Sequence, residues 1–433
     1  MMRSRGHRWG IVLLATAMLS CRHGEGDGVV VLRFWGLGRE GEVVQELSAG
    51  FEREHPGIKV RVQQIPWSAA HEKMLTAHVG DASPDIAQLG NTWISEFVAL
   101  HALVPLDSSL HQSSQVDSTD YFPGIWRTNA IAGTTYGIPW YVDTRLVFYR
   151  KDILRQAGYA TFPTNWKEWL EAMRAIKKIV GPARYPIYLP TNEWTQPVVF
   201  GMQSGSPLLK DNASYGAFSD SAFRRAFSFY LGIYREGLAP IKGLNDVANP
   251  YQEFERGFFA MWITGPWNLG EFARRLPASM QDNWATAPLP GPDGPASGLS
   301  TAGGSSLVIF RSSTHQREAW MLLEFLSRPE QQQRFYELTG DLPARTDAWN
   351  DSLRSSDPNR HAFWEQLQRV EPTPQVPEWE QIATKVLEYA EQSIRGNVPE
   401  DTVLARLDRD VNGLLEKRRW LLERGALASE PRH

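Results

Sequence analysis

The chain has 433 residues, with 45 Lys and Arg against 49 Asp and Glu, a formal net charge of −4, and 42% hydrophobic residues. No stretch of Lys and Arg is dense enough to form a nucleic-acid stripe, which excludes that class of partner. A single cysteine excludes an internal disulfide, and at about 100–200 residues per domain the length predicts two domains with ample core.

That cysteine, Cys21, closes the first segment. Arg3, Arg5 and Arg8 precede an uncharged run from Trp9 to Leu19, followed by Ser20. A basic stretch, a brief apolar stretch and a small residue describe a secretory signal peptide. The run falls short of the about 20 apolar residues that a membrane span needs. Ending on a cysteine, it resembles a bacterial lipoprotein signal, in which the cysteine takes the lipid and becomes the new N-terminus. Met18, Leu19 and Ser20 occupy the three places before it. Residues 1–20 are therefore expected to be removed, Cys21 to carry acyl chains such as palmitate, and residues 21–28 to form a polar tether. No later apolar run is long enough to span a membrane, so the lipid alone is the expected anchor, firm if several chains share the cysteine.

Val29 to Trp35 reads as a strand ending in Gly36-Leu37-Gly38, and Val43, Val44, Leu47 and Phe51 fall on one helical face. Ile58, Val60 and Val62 alternate with Lys59 and Arg61, the period of a half-buried strand. A helix after Trp67, a short strand over residues 85–88 and a helix from Trp93 to Leu100 continue the rhythm, which predicts a parallel α/β layer. A long extended segment runs from Tyr136 to Tyr149, with Asp143-Thr144-Arg145 at its middle. A short helix then ends at Gly158, and Asn165 with Glu168 makes a capping-box start for a helix to Val180. Residues 181–219 read as loop-rich. Phe223, Phe227, Tyr230, Leu231 and Tyr234 mark a further helix face, Phe259 to Ile263 a strand, and Gly265-Pro266-Trp267 the first turn of another helix. Residues 288–304 form a second extended connection, followed by a strand over Ser306 to Phe310 and mostly helical sequence to about Lys417. Two such connections suit two α/β lobes joined by a hinge, with a cleft between them.

Seventeen tryptophans are the second compositional oddity, and many stand beside Gly, Pro, Asn or Asp, as in Asn91-Thr92-Trp93 and Asn192-Glu193-Trp194. Turns and element ends are where binding sites collect, so about a quarter of these indoles are expected to meet a ligand. A flat indole suits the apolar face of a pyranose ring, with nearby polar groups taking its hydroxyls.

Six landmarks in order resemble the extracellular solute-binding proteins of bacterial ABC importers, in the branch that takes sugars and oligosaccharides. They are Leu32-Arg33-Phe34-Trp35-Gly36, Ser83-Pro84-Asp85-Ile86, the segment Tyr136-Gly137-Ile138-Pro139 through Phe148-Tyr149-Arg150-Lys151-Asp152, Phe259 through Trp267, Ala287-Pro288-Leu289-Pro290-Gly291, and Thr339 through Arg345. Maltose-, trehalose- and glycerol-phosphate-type binders share this layout. The resemblance implies a periplasmic-binding-protein-like α/β fold of two discontinuous lobes: residues 29–142 with 300–345, and 143–299 with 346–420. It implies ligand contacts from Arg39 and Glu40, Asn91 and Thr92, Trp140 and Asp143, Glu193 and Trp194, Trp267, Gly303 and Gly304, and Arg345. It also implies a monomer that binds a carbohydrate without metal, cofactor or chemistry and docks on a permease.

Three rival readings carry their own signatures. A glycosidase needs two carboxylates flanking the scissile bond, and Asp143 with Glu193 are the available pair. A metal binder wants clustered ligands, whereas the ten histidines are scattered and His71 and His78 lie two helical turns apart. An adhesive surface lipoprotein would have no ligand-closing cleft. Within the solute-binding reading, a glycerophosphodiester is the alternative to a di- or oligosaccharide.

Overall fold

The computed structural model describes residues 28–396 and 398–425, so the proposed signal peptide and Cys21 lie outside the described residues. Two sheets organise the chain. The first has six strands in the order Leu342–Pro343, Gly137–Asp143, Gly303–Ile309, Ile86–Gly90, Val30–Leu37 and Ile58–Ile65. Val30–Leu37 runs parallel to both Ile58–Ile65 and Ile86–Gly90, while Gly303–Ile309 runs antiparallel to its neighbours. The second sheet orders Trp284–Ala287, Leu146–Arg150, Phe259–Thr264 and Tyr185–Tyr188, with only the last pair parallel. This is a two-lobe α/β fold.

Helices cover the sheets because their apolar residues share a face. In Trp166–Val180 the buried positions are Trp166, Trp169, Ala172, Met173 and Ile176, spaced three or four apart. Asn165 Oδ1 caps that helix by accepting from the Glu168 amide at 2.9 Å. The Trp169 indole is fully buried; losing such a side chain to alanine costs about 3–5 kcal/mol. Late helices return to the second sheet: Asn359 Oδ1 accepts from the Thr286 amide at 3.0 Å and Gln366 Oε1 from the Leu289 amide at 2.8 Å.

The chain passes from the first sheet to the second across Asp143-Thr144-Arg145-Leu146 and returns between Ala287 and Gly303. The two passages are stitched together. Ser300 Oγ accepts from the Arg145 amide at 3.1 Å and donates to the Arg145 carbonyl at 2.9 Å. Pairing of Gly303–Ile309 with Gly137–Asp143 slips between Ser305 and Ser306, where Tyr141 and Pro139 are the partners and Trp140 is the extra residue. Such a bulge bends a strand and re-aims its side chains.

Residues 181–219 depart from their loop reading. They contain the strand Tyr185–Tyr188 and the helix Thr195–Gln203. All nine positions of that helix are buried, so it carries no polar–apolar period to be read. Pro266 precedes the helix Trp267–Arg275 rather than opening it.

Candidate ligand-binding site

A cavity of about 500 Å³ lies between the sheets. Its walls follow from strand direction, since ligands in α/β folds collect at the carboxyl ends of parallel strands. Val30–Leu37 delivers Glu40, Ile58–Ile65 delivers Trp67, and Ile86–Gly90 delivers Asn91, Thr92 and Trp93. From the second sheet, Tyr185–Tyr188 leads to Trp194 and Phe259–Thr264 to Trp267. The crossing segments add Tyr141, Asp143 and Arg145 on one side and Thr301, Gly303 and Gly304 on the other. Asp341 and Thr373 also line it.

Four of the seventeen tryptophans therefore line the cavity. Trp67 and Trp93 meet edge-to-face at 5.8 Å, and Trp194 is braced edge-on by the buried Trp379 at 5.8 Å. Trp267 is 41% exposed, with the Arg145 guanidinium carbon 4.5 Å from its ring centroid.

The floor is a wired polar network. Tyr141 Oη donates to Glu40 Oε1 at 2.9 Å, and Trp67 Nε1 donates to the same oxygen at 3.3 Å. Gln88 Nε2 donates to Tyr141 Oη at 3.3 Å and to Ser305 Oγ at 3.2 Å, while Gln88 Oε1 accepts from the Leu37 amide at 2.8 Å. Burial pushes the Glu40 carboxyl up, against the pull of its own backbone hydrogen bond and those from Tyr141, Trp67 and Gln88. Burial likewise lifts Asp341 to about 7, helped by the Glu40 and Asp143 charges and opposed by Thr339 and Arg39. Arg145 donates to Asp143 Oδ1 at 2.5 Å. Burial pulls its guanidinium down, but the Asp143 and Glu193 charges outweigh this and raise it overall. Asn91 Oδ1 accepts from Ser306 Oγ at 3.0 Å, while its buried Nδ2 has no partner.

Of the residues expected from sequence, Glu40, Asn91, Thr92, Asp143, Trp194, Trp267, Gly303 and Gly304 line one cavity. Arg39 does not. It donates to the Leu338 carbonyl at 2.8 Å and borders an adjoining hollow that shares Glu40, Trp267 and Asp341. Glu193 is also outside the lining; it accepts at 2.6 Å from Nε2 of Gln196, the second residue of the helix Thr195–Gln203. Two expectations are corrected outright. Trp140 is 1% exposed and packs against Phe335 at 4.3 Å and Phe34 at 6.2 Å, so it belongs to the core. Its neighbours Tyr141 and Asp143 line the cavity instead. Arg345 is 5% exposed and donates to two partly exposed carboxylates, Asp120 at 2.8 Å and Asp347 at 2.7 Å, outside the lining. Sequence reasoning missed Trp67, Trp93, Tyr141, Arg145 and Asp341. For the two tryptophans the signal was present, since each follows a legible strand by two or three residues.

Among the described residues no group of three or more His, Cys, Asp or Glu is placed to hold a metal, and no helix is long and apolar enough to cross a membrane.

Residues 35–333 match the family model of bacterial extracellular solute-binding proteins. The chain belongs to this family. The solved structure of the sugar-binding protein MalE from Xanthomonas citri is 48% identical, superposes with a TM-score of 0.88, and spans 91% of this chain and 99% of its own. The diacetylchitobiose binding protein DasA of Streptomyces coelicolor is 24% identical over 381 residues, 86% of this chain and 85% of its own. The galactooligosaccharide-binding protein of Bacillus subtilis is 24% identical over 353 residues, 79% of each chain. As a member of the family, the chain is of a solute-binding, extracellular type.

Proposed function

We propose that this protein captures a di- or oligosaccharide between its lobes and delivers it to the permease of an ABC importer, with no chemical step. The observation that carries this reading is the cavity: four indoles at strand ends stand over a floor of carboxyl, amide and hydroxyl groups. Indoles take the apolar faces of sugar rings, and Glu40, Asp143 and the free Asn91 amide take hydroxyls. Micromolar affinity corresponds to about −8 kcal/mol, within reach of a few stacked rings and hydrogen bonds after ordering costs. Relatives named for binding sugars support the same class.

In this reading the lobes are residues 29–142 with 300–345 and 143–299 with 346–420, hinged at Arg145 and Ser300. The ligand drives closure through contacts made to both lobes together, since it shifts the balance only by its differential affinity. A lipid on Cys21 keeps this monomer beside its transporter, where local concentration replaces tight docking.

The glycerophosphodiester alternative asks for a cation free to meet phosphate. Among the described lining residues Arg145 is the single Lys or Arg, and it is already engaged by Asp143. The glycosidase alternative asks for two facing carboxylates; the pair expected from sequence is not brought together, since Glu193 does not line the cavity, and the carboxyls that do, Glu40, Asp143 and Asp341, are tested by looking for hydrolysis. The test is to titrate the exported domain with di- and oligosaccharides and follow tryptophan emission, with thin-layer analysis for hydrolysis. Saturable emission change with intact sugar is expected; a folded protein that responds to none of them refutes the reading.

A further inference from the structure

The point where the chain crosses between sheets carries more than a hinge. Ser300 Oγ holds both the amide and the carbonyl of Arg145, tying the outgoing passage to the returning one. From this anchored backbone the Arg145 side chain reaches in two directions. Its Nη1 bonds Asp143 at 2.5 Å, and its guanidinium lies over the Trp267 ring at 4.5 Å. Trp267 begins the helix that follows the strand Phe259–Thr264, whose Thr264 pairs with Leu146 beside Arg145, so the contact forms on the second sheet's side of the crossing. Its indole also leans on Gly265, where an added Cβ would stand 1.9 Å from Cζ3. One face of the ring is thus covered by a cation, its six-membered edge rests on bare backbone, and it still lines the cavity while 41% exposed.

We propose that Arg145 is the positioning residue of the stacking platform: from the hinge, it fixes the pose of the Trp267 indole. Hinge geometry then sets where a sugar ring can stack, and only the uncovered face of Trp267 receives it. This use of the platform rests on the carbohydrate reading; the Arg145–Trp267 coupling itself does not. A planar guanidinium suits the role because it stacks on an aromatic face while forking hydrogen bonds to a carboxylate. Lysine would keep the charge beside Asp143 and give up the planar stack.

The experiment compares wild type, R145A, R145K and S300A, each with and without W267F, with thermal melts to establish folding. Subtracting the W267F spectrum isolates the Trp267 emission in the unliganded protein. The expected result is a shifted Trp267 emission in R145A and S300A, and an intermediate one in R145K. Affinity for the sugar that wild type binds best should fall about tenfold in R145A, with partial rescue by R145K. R145A should have little further effect once W267F is present. If R145A does not fold, R145K, which retains the partner charge for Asp143, decides by the same emission shift. An unchanged Trp267 emission in the folded Arg145 variants overturns the proposal. A wild-type chain that binds no sugar overturns the carbohydrate reading alone, and the emission comparison still decides this one.

Discussion

The Tyr141 hydroxyl donates to Glu40 Oε1 at 2.9 Å and accepts from Gln88 and Ser305, so one side chain on the hinge strand satisfies groups from three other elements. Burial, followed by the nearby Glu40 and Asp341 charges, holds the Tyr141 phenol well above its ordinary value, so it stays a donor. Removing it leaves the Ser305 hydroxyl without its acceptor and takes one of two partners from both Glu40 Oε1 and Gln88 Nε2. Tyr141→Phe is expected to lower stability by about 1–3 kcal/mol in denaturant melts. It should also weaken ligand binding, because Glu40 Oε1 then loses its 2.9 Å bond and keeps the longer one from Trp67.

Asp341 gives the site a pH signature. Its folded-state value of about 7 lies above the ordinary 3.8, so the native state holds this proton more tightly than the unfolded chain. Below the ordinary value the group has no effect. As pH rises from about 4 to 7 the native state is progressively penalised, and above 7 the penalty is complete. Asp341→Asn should therefore stabilise the protein more at pH 8 than at pH 4, by about 1–2 kcal/mol in chemical denaturation. Equal effects at the two pH values would contradict this.

His71 has the opposite sign. Its bond to Glu96 at 2.6 Å, opposed by burial and reinforced by the Glu96 and Glu380 charges, raises its value above 6.5. The pair's stabilisation is full below about 6.5 and is lost as pH rises through the raised value. With the side chains 30% and 23% exposed, about 1 kcal/mol is expected. His71→Gln should flatten that part of the stability–pH curve.

Gly265 separates fold from platform. A Cβ there would stand 1.9 Å from Trp267 Cζ3, so the exposed indole must swing away. Gly265→Ala is expected to weaken binding at least about tenfold while costing only about 1 kcal/mol of stability. Calorimetric titration beside a thermal melt measures both.

The helix after Asn165 was legible because cap and amphipathic face agree, and the strands near 30, 58 and 259 because their patterns are plain. The helix Thr195–Gln203 was not, since burial on every side erases periodicity. Along the strand Gly137–Asp143 the resemblance points to Trp140, but that residue is the bulge and its indole lies in the core, while Tyr141 and Asp143, two apart on one face, reach the cavity. Arg345 reads in sequence like any surface arginine, because the remote partner Asp120 is brought to it only by folding. The four cleft tryptophans follow strands by two residues (Ile65 to Trp67) to six (Tyr188 to Trp194), a rule that position alone could have supplied.

The measurement that bears most directly on the whole account is calorimetric titration of the exported domain with di- and oligosaccharides, wild type beside Trp267→Ala. Wild type should bind at least one sugar saturably, and the variant should lose at least about tenfold in affinity, with both proteins folded. Folded wild type that binds none of them, or a variant that binds as tightly as wild type, would contradict it.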